Sequence, residues 1–163
     1  MTSRKLDEAA VWDALKDIAD PEIPVLTLVD MKIIRQVKVE DKIVHVSMSP
    51  TFLGCPAFDQ MKSDVRQRLL DVGFSDVVIA TSFSPPWTTA MLDAAAREKL
   101  REFGIAPPGH HEHDLTQSHS DIVVCPFCGS ERTHLENSFD PTLCRQIYYC
   151  DNCLQPFERF KSL

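Results

Sequence analysis

No stretch of this sequence is apolar for long enough to cross a bilayer. The opening Met1 to Ile18 also lacks the unbroken apolar core of a signal peptide, because Arg4, Lys5, Asp7, Glu8, Asp13, Lys16 and Asp17 interrupt it. Positive charge is scarce: 17 lysines and arginines face 24 acids, for a net charge of −7. Nucleic-acid binding is driven largely by basic residues neutralising phosphates, so this balance argues against it. The end of the chain hides no basic module, since Asp121 to Leu163 holds six acids and four bases. Cysteine is nearly missing from the body of the chain, where Cys55 stands alone; Cys125, Cys128, Cys144, Cys150 and Cys153 crowd the end. The absences together lead us to expect a cytoplasmic, protein-facing chain with no membrane and no nucleic-acid partner. In a reducing compartment, grouped cysteines are metal ligands more often than disulfides.

The 163 residues suit one small domain plus a module that needs a staple. Leu6 to Ile18 reads as an amphipathic helix with Val11, Leu15 and Ile18 on one face, ending before Asp20-Pro21-Glu22-Ile23-Pro24. Val25 to Met31 fits either an extended segment or a turn of helix. Alternation from Ile33 to Val39 and from Lys42 to Met48 gives two strands joined through Glu40-Asp41 as a hairpin without the usual glycine. Phe58, Met61, Val65, Leu69 and Val72 mark a second helix, and Gly73 is placed to stop it. Ser75 to Ser82 is a third strand. Ser84-Pro85-Pro86-Trp87-Thr88 turns into a last helix with Leu92, Ala96, Leu100 and Phe103 on one face. The expected class is α+β: an α-β-β-α-β-α domain over residues 1–106, a linker over 107–120 and an all-β module over 121–163. The linker's His110, His111, His113 and His119 could hold a metal only weakly, because no rigid element fixes their spacing.

The stretch Ser49-Pro50-Thr51-Phe52-Leu53-Gly54-Cys55-Pro56 joins a strand to a helix. Pro56 fits a first helical turn, which puts Cys55 at or near the N-cap. Exposed amides and the helix dipole there lower a thiol pKa from about 8.5, so an accessible, partly ionised thiolate is expected. The competing expectation is a cysteine packed as a small hydrophobe. No histidine partner for a thiol enzyme is identifiable; His45 lies on a strand and a solvent-facing role suits it.

Cys125-Pro126-Phe127-Cys128 and Cys150-Asp151-Asn152-Cys153 are two Cys-x-x-Cys pairs separated by 21 residues. Each pair forms a tight turn with converging sulfurs, and two turns supply four thiolates for a tetrahedral zinc at about 2.3 Å. Strand-like stretches between them, with Thr133, Leu135, Phe139, Ile147, Tyr148 and Tyr149, give a zinc ribbon. Iron of the rubredoxin type has similar ligands, and two disulfides are the reading the compartment disfavours. Cys144 and His134 are substitute ligands that the two pairs make unnecessary. Four sulfurs leave no open position, so the metal is structural rather than catalytic.

Asp20-Pro21-Glu22-Ile23-Pro24-Val25 and Gly54-Cys55-Pro56 resemble the opening motif and the cysteine loop of the MIP18 (DUF59) family. Pro50-Thr51, Pro86-Trp87-Thr88, Gly104-Ile105-x-Pro107-Pro108, the two cysteine pairs and Pro156-Phe157-x-x-Phe160-Lys161 extend the resemblance, over nearly the whole chain, to the PaaD family of bacterial phenylacetate degradation. The resemblance implies a MIP18-like first domain followed by the zinc ribbon. It further implies an accessory role beside a multicomponent phenylacetyl-CoA 1,2-epoxidase, aiding iron–sulfur cluster assembly of its reductase, with oxygenase or reductase subunits as partners. By the same resemblance Cys55 is the thiol that handles a transient cluster, and Asp20 and Glu22 support its loop, although a carboxylate capping a turn explains these acids equally. The chain departs from the wider family at Asp30-Met31-Lys32, where Asp-Leu-Gly is usual, and at Phe139 to Arg145, where glycine and serine usually follow the phenylalanine. Cys144 itself matches the family, as a functional residue or as a buried or spare thiol. Trp87 is either a partner-facing anchor or a core residue.

The resulting reading is a maturation factor that is not catalytic alone. A purely structural subunit of the oxygenase, a zinc-ribbon nucleic-acid binder and a thiol enzyme are the alternatives. One thiolate falls short of the four ligands a common cluster needs, which leaves open whether Cys55 acts alone or across a homodimer.

Overall fold

The computed structural model describes residues 6–109, 122–138 and 142–162. Most of the expected linker, with its four histidines, lies outside the described residues, as do Phe139 to Pro141. The chain forms two compact units, Met1–Trp87 and Thr88–Leu163. Among the described residues no helix is long and apolar enough to cross a membrane.

In the first unit, α1 (Glu8–Leu15) starts after Asp7, which caps it by accepting the Ala10 amide at 3.1 Å, and it ends three residues before the expected Ile18. Strands β1 (Ile34–Glu40) and β2 (Ile43–Met48) are antiparallel. Their hairpin turns on Asp41 and Lys42, both at positive φ (48° and 66°), one residue later than expected. That is the left-handed pair a two-residue hairpin requires, here adopted without glycine. A bulge between Ile34 and Gln36 shifts the phase of β1, which is why Ile34 and Val37, three residues apart, are both buried.

Helix α2 (Phe58–Val72) carries the chain from β2 to β3 (Asp76–Thr81), so β2 and β3 pair in parallel and the sheet order is β1-β2-β3. Gly73, at φ 111°, closes α2 with its amide on Leu69 and Leu70 carbonyls. Phe58, Met61, Val65 and Leu69 of α2 join Val11 and Leu15 of α1 and Val44, Val46 and Val77 of the sheet in the buried core. Val25 to Met31 forms turns rather than a strand or helix; its one extended pairing is a bridge between Ala19 and Thr27. Trp87 is a core residue, 5% exposed, and its indole donates to the Met31 carbonyl at 2.6 Å.

The second unit contains α3 (Ala94–Glu102), capped by Asp93, which accepts the Ala96 amide at 2.9 Å. Leu92 lies just before the helix and is buried, whereas Phe103 just after it is exposed, so the expected four-residue face shrinks to Ala96 and Leu100. Strands β4 (Ile105–Ala106), β5 (Thr133–Asn137), β6 (Arg145–Cys150) and β7 (Gln155–Phe160) form a sheet of order β4-β7-β6-β5. Both α3 and β4, grouped by sequence with the first domain, thus belong to the unit that carries the cysteine pairs. The α+β class with a β-sheet around the paired cysteines is as expected.

Candidate functional site

The two cysteine pairs form matching turns. The Gly129 amide donates to the Cys125 carbonyl and the Leu154 amide to the Cys150 carbonyl, each at 2.9 Å. Gly129 (φ 71°) and Leu154 (φ 57°) are left-handed, which bends the backbone back behind each second cysteine. The Cys125 amide is anchored on Ser130, and the Asp151 amide on Arg132. The four Sγ atoms lie within 4.8 Å of one another. Cys125 and Cys153 sulfurs are 3.7 Å apart, and those of Cys128 and Cys150 are 3.6 Å apart. A tetrahedron with metal–sulfur bonds of about 2.3 Å has edges of about 3.8 Å, so the residues fit a four-thiolate metal.

The electrostatics of this cluster agree with that fit. The Ser130 amide, above all, brings the Cys128 thiol down to about 6, whereas burial and the neighbouring thiols push Cys153 up to about 12. Burial also raises Cys125. Four adjacent sulfurs cannot all carry charge without a cation between them, and a divalent metal supplies it. Neither proposed substitute joins the set. His134 faces Glu136 and Asp151 at 3.3 to 3.4 Å, and Cys144, 4% exposed, has its sulfur 3.7 Å from the Thr142 hydroxyl.

Cys55 belongs to the first unit, half-buried in the loop between β2 and α2. The helix starts later than Pro56 suggests: its N-cap is Ala57. The Ala57 and Phe58 amides do point at the sulfur, as expected, but the sign of the net effect is reversed. Burial, and after it the negative charges of Glu22 and Asp20, raise the Cys55 thiol above its ordinary 9.0. The expected resting thiolate is therefore corrected to a neutral thiol. The fold brings the Asp20-Pro21-Glu22 turn and the cysteine loop together. Asp20, 4% exposed, organises that turn by accepting the Glu22 and Ile23 amides, both at 2.8 Å. Among the described residues no histidine acts on the thiol, and His45 is exposed on β2.

Beside the cysteine loop is an apolar groove of about 210 Å³, lined by Ser49, Leu53, Phe83, Pro86 and Trp87 among others. Leu53 is 81% exposed and Phe83 58% exposed at its rim. Sequence reasoning passed over both; the available signal was a large apolar residue in each of two Pro-containing loops.

The model of the iron–sulfur cluster assembly protein family matches residues 8–82, and that of the PaaD zinc beta ribbon domain matches residues 109–161. A protein of Escherichia coli (strain K12), described as belonging to a 1,2-phenylacetyl-CoA epoxidase as one of its subunits, is 37% identical over 94% of this chain and 92% of its own length. An Fe-S protein maturation auxiliary factor of Porphyromonas gingivalis is 38% identical over 53% of this chain and 83% of its own. The crystal structure of a DUF59 domain from Bacillus anthracis covers 58% of this chain and 93% of its own, with a TM-score of 0.52; at 23% identity that likeness concerns the fold alone. Because the similarity to the Escherichia coli relative runs through both units and the ribbon model matches the four-cysteine region, this chain belongs to the PaaD family.

Proposed function

We propose that this chain is an accessory factor that handles iron–sulfur cargo for a 1,2-phenylacetyl-CoA epoxidase, with Cys55 as the handling thiol. The observation that carries the reading is a half-buried thiol in the first unit, outside the set of four paired cysteines, on a loop whose Ser49 to Leu53 stretch lines an apolar groove. Exposed Leu53 and Phe83 favour a protein partner at this edge, and a reductase or oxygenase subunit of the epoxidase is that partner. The epoxidase description of the Escherichia coli relative and the maturation role of the Porphyromonas gingivalis relative support the two halves of the proposal.

A neutral thiol suits a carrier that must bind and release. When iron approaches, its charge favours the thiolate, the proton leaves to water, and one Fe–S bond forms. Asp20 and Glu22 disfavour a bare thiolate between visits and favour a cation during one. One thiolate does not complete a cluster, so the remaining ligands come from the donor, the acceptor or a second copy of the chain. In the other unit Cys125, Cys128, Cys150 and Cys153 hold zinc, which ties the two turns together and has no free coordination position. A reducing, cytoplasmic setting keeps those thiols available.

The test is the Cys55→Ser variant in a cell that depends on the epoxidase. The variant is expected to fold, to keep its zinc, and to leave the reductase without its cluster by iron and sulfide analysis. Normal cluster content would overturn the proposal. The raised thiol pKa favours a second reading, a purely structural subunit, which predicts co-purification with the oxygenase and indifference to Cys55→Ser.

A further inference from the structure

Strand β3 is an outer strand of the first unit's sheet, and α1 packs against α2 and β1, the opposite outer strand. Along a strand the N–H and C=O groups of successive residues point alternately to its two edges. The Ser82 amide donates to the Met48 carbonyl at 2.8 Å, so Val78 and Ala80, at even spacings before it, face β2 as well. Val77, Ile79 and Thr81 therefore face away from the sheet. Side chains close the first of these three. The Val77 amide donates to Asp76 Oδ1 at 2.8 Å, and Arg66 donates to the Val77 carbonyl while pairing with Asp76 at 2.7 Å. Nothing among the described residues closes Ile79 or Thr81 in the same way. From Val77 to Trp87 the chain carries no charge, and β3 has neither the lysine nor the proline that commonly blunts an edge. Two residues past Thr81 comes Phe83, on the rim of the apolar groove.

We propose that the open half of this edge binds an extended, uncharged segment of the partner protein. The segment adds a strand beside Ile79 to Thr81 and runs on to place an apolar side chain in the groove at Phe83 and Leu53. This rests on the protein partner proposed above and is independent of the chemistry of Cys55. Outward N–H and C=O groups on alternate residues are the pattern that a second extended backbone matches, while the groove beside them selects a side chain. An uncharged segment suits an uncharged edge in a chain of net charge −7, which repels an acidic one. A second copy of this chain fits less well. In an antiparallel pair centred on Ala80, Phe83 of each copy lies opposite Val77 of the other. Asp76 and Arg66 already occupy that backbone, and the Val77 side chain is buried in its own core, so the groove receives nothing.

The test follows amide hydrogen exchange by NMR in full-length, metal-loaded protein, alone and with the purified reductase or oxygenase subunits of the epoxidase. In the free chain Ile79 and Thr81 are expected to exchange fast and Val78 and Ala80 slowly; in the complex all of them should be slow. Thr81→Pro removes an outward N–H that no strand of this sheet uses, at an exposed position, and is expected to weaken the complex about tenfold. Thr81→Ala, which keeps the amide, should bind as the parent does. Should the proline variant fail to fold, exchange in the parent chain decides the matter. Slow exchange at Ile79 and Thr81 in the free chain would mean that another segment or a second copy already lies there, and would overturn the proposal. Exchange indifferent to both subunits, or a folded Thr81→Pro variant that binds as tightly as the parent, would do the same. Cluster delivery undiminished in Thr81→Pro removes the edge as the dock and leaves the role of Cys55 standing. Normal reductase cluster in Cys55→Ser with edge protection intact does the reverse.

Discussion

Stripping the metal from the four-cysteine site is expected to unfold the ribbon while the first unit stays folded. The buried cluster around the site consists of Ala106, Val123, Cys125, Cys150 and Phe157, with Tyr148 and Cys153 packed on it, so three of its members are ligands themselves. Burying Val123 and Phe157 contributes about 1.5–3 kcal/mol each. A structural zinc in a small module contributes about 10–16 kcal/mol at neutral pH. The metal's contribution exceeds that of both side chains together, so the cysteine turns and the strands they join lose their largest single stabiliser when it goes. The chain carries its own reporters. Both tryptophans, Trp12 and Trp87, lie in the first unit, and both tyrosines, Tyr148 and Tyr149, lie on β6 of the second. Second-derivative ultraviolet absorbance separates the two, and metal analysis fixes the extent of removal. After chelation the tyrosine signal should reach its unfolded value while tryptophan emission keeps its folded position. A tyrosine signal indifferent to complete metal loss, or a tryptophan signal that collapses with it, would refute the reasoning.

Two further predictions concern the first unit. Alkylation of Cys55 by iodoacetamide should be slower at neutral pH than in the urea-unfolded chain and should rise with a midpoint above 9.0, because the folded thiol holds its proton more tightly than the unfolded one. The same shift makes this thiol's contribution to stability complete below 9.0 and lost as pH rises through the folded value; Glu22→Gln should lower the midpoint, and a midpoint at or below 9.0 in the parent chain would contradict the assignment. Lys32 holds φ 54°, a left-handed conformation that strains a side chain by about 1–2 kcal/mol, partly offset against glycine by the extra unfolded-state freedom glycine would bring. Lys32→Gly should therefore stabilise the first unit by about 1 kcal/mol in urea denaturation followed by Trp87, and a lower midpoint would count against that strain.

Much of the architecture is local and was legible for that reason. Apolar spacing in Phe58 to Val72 gives a helix wherever it packs, and Gly73 stops it because glycine alone takes its left-handed turn without strain. Strand boundaries missed by a residue where a bulge at Arg35 or a turn at Asp41 and Lys42 shifted the phase. The start of α1 shows a cap prevailing over an apolar period. Leu53, Phe83 and Arg97 drew no attention because nothing in their neighbours along the chain says whether a loop residue faces solvent or a helix residue lies under three carbonyls.

What the sequence determined by itself is the set of metal ligands: two Cys-x-x-Cys pairs supply four sulfurs, and these lie within 4.8 Å of one another. What only the tertiary structure decided is the state of Cys55. The amides that favour a thiolate are its chain neighbours and could be read from sequence. Glu22 and Asp20 come from a distant turn, and burial comes from the packing around the loop. Through-space charge and desolvation outweighed the local amides, and neither has a signature in residue spacing.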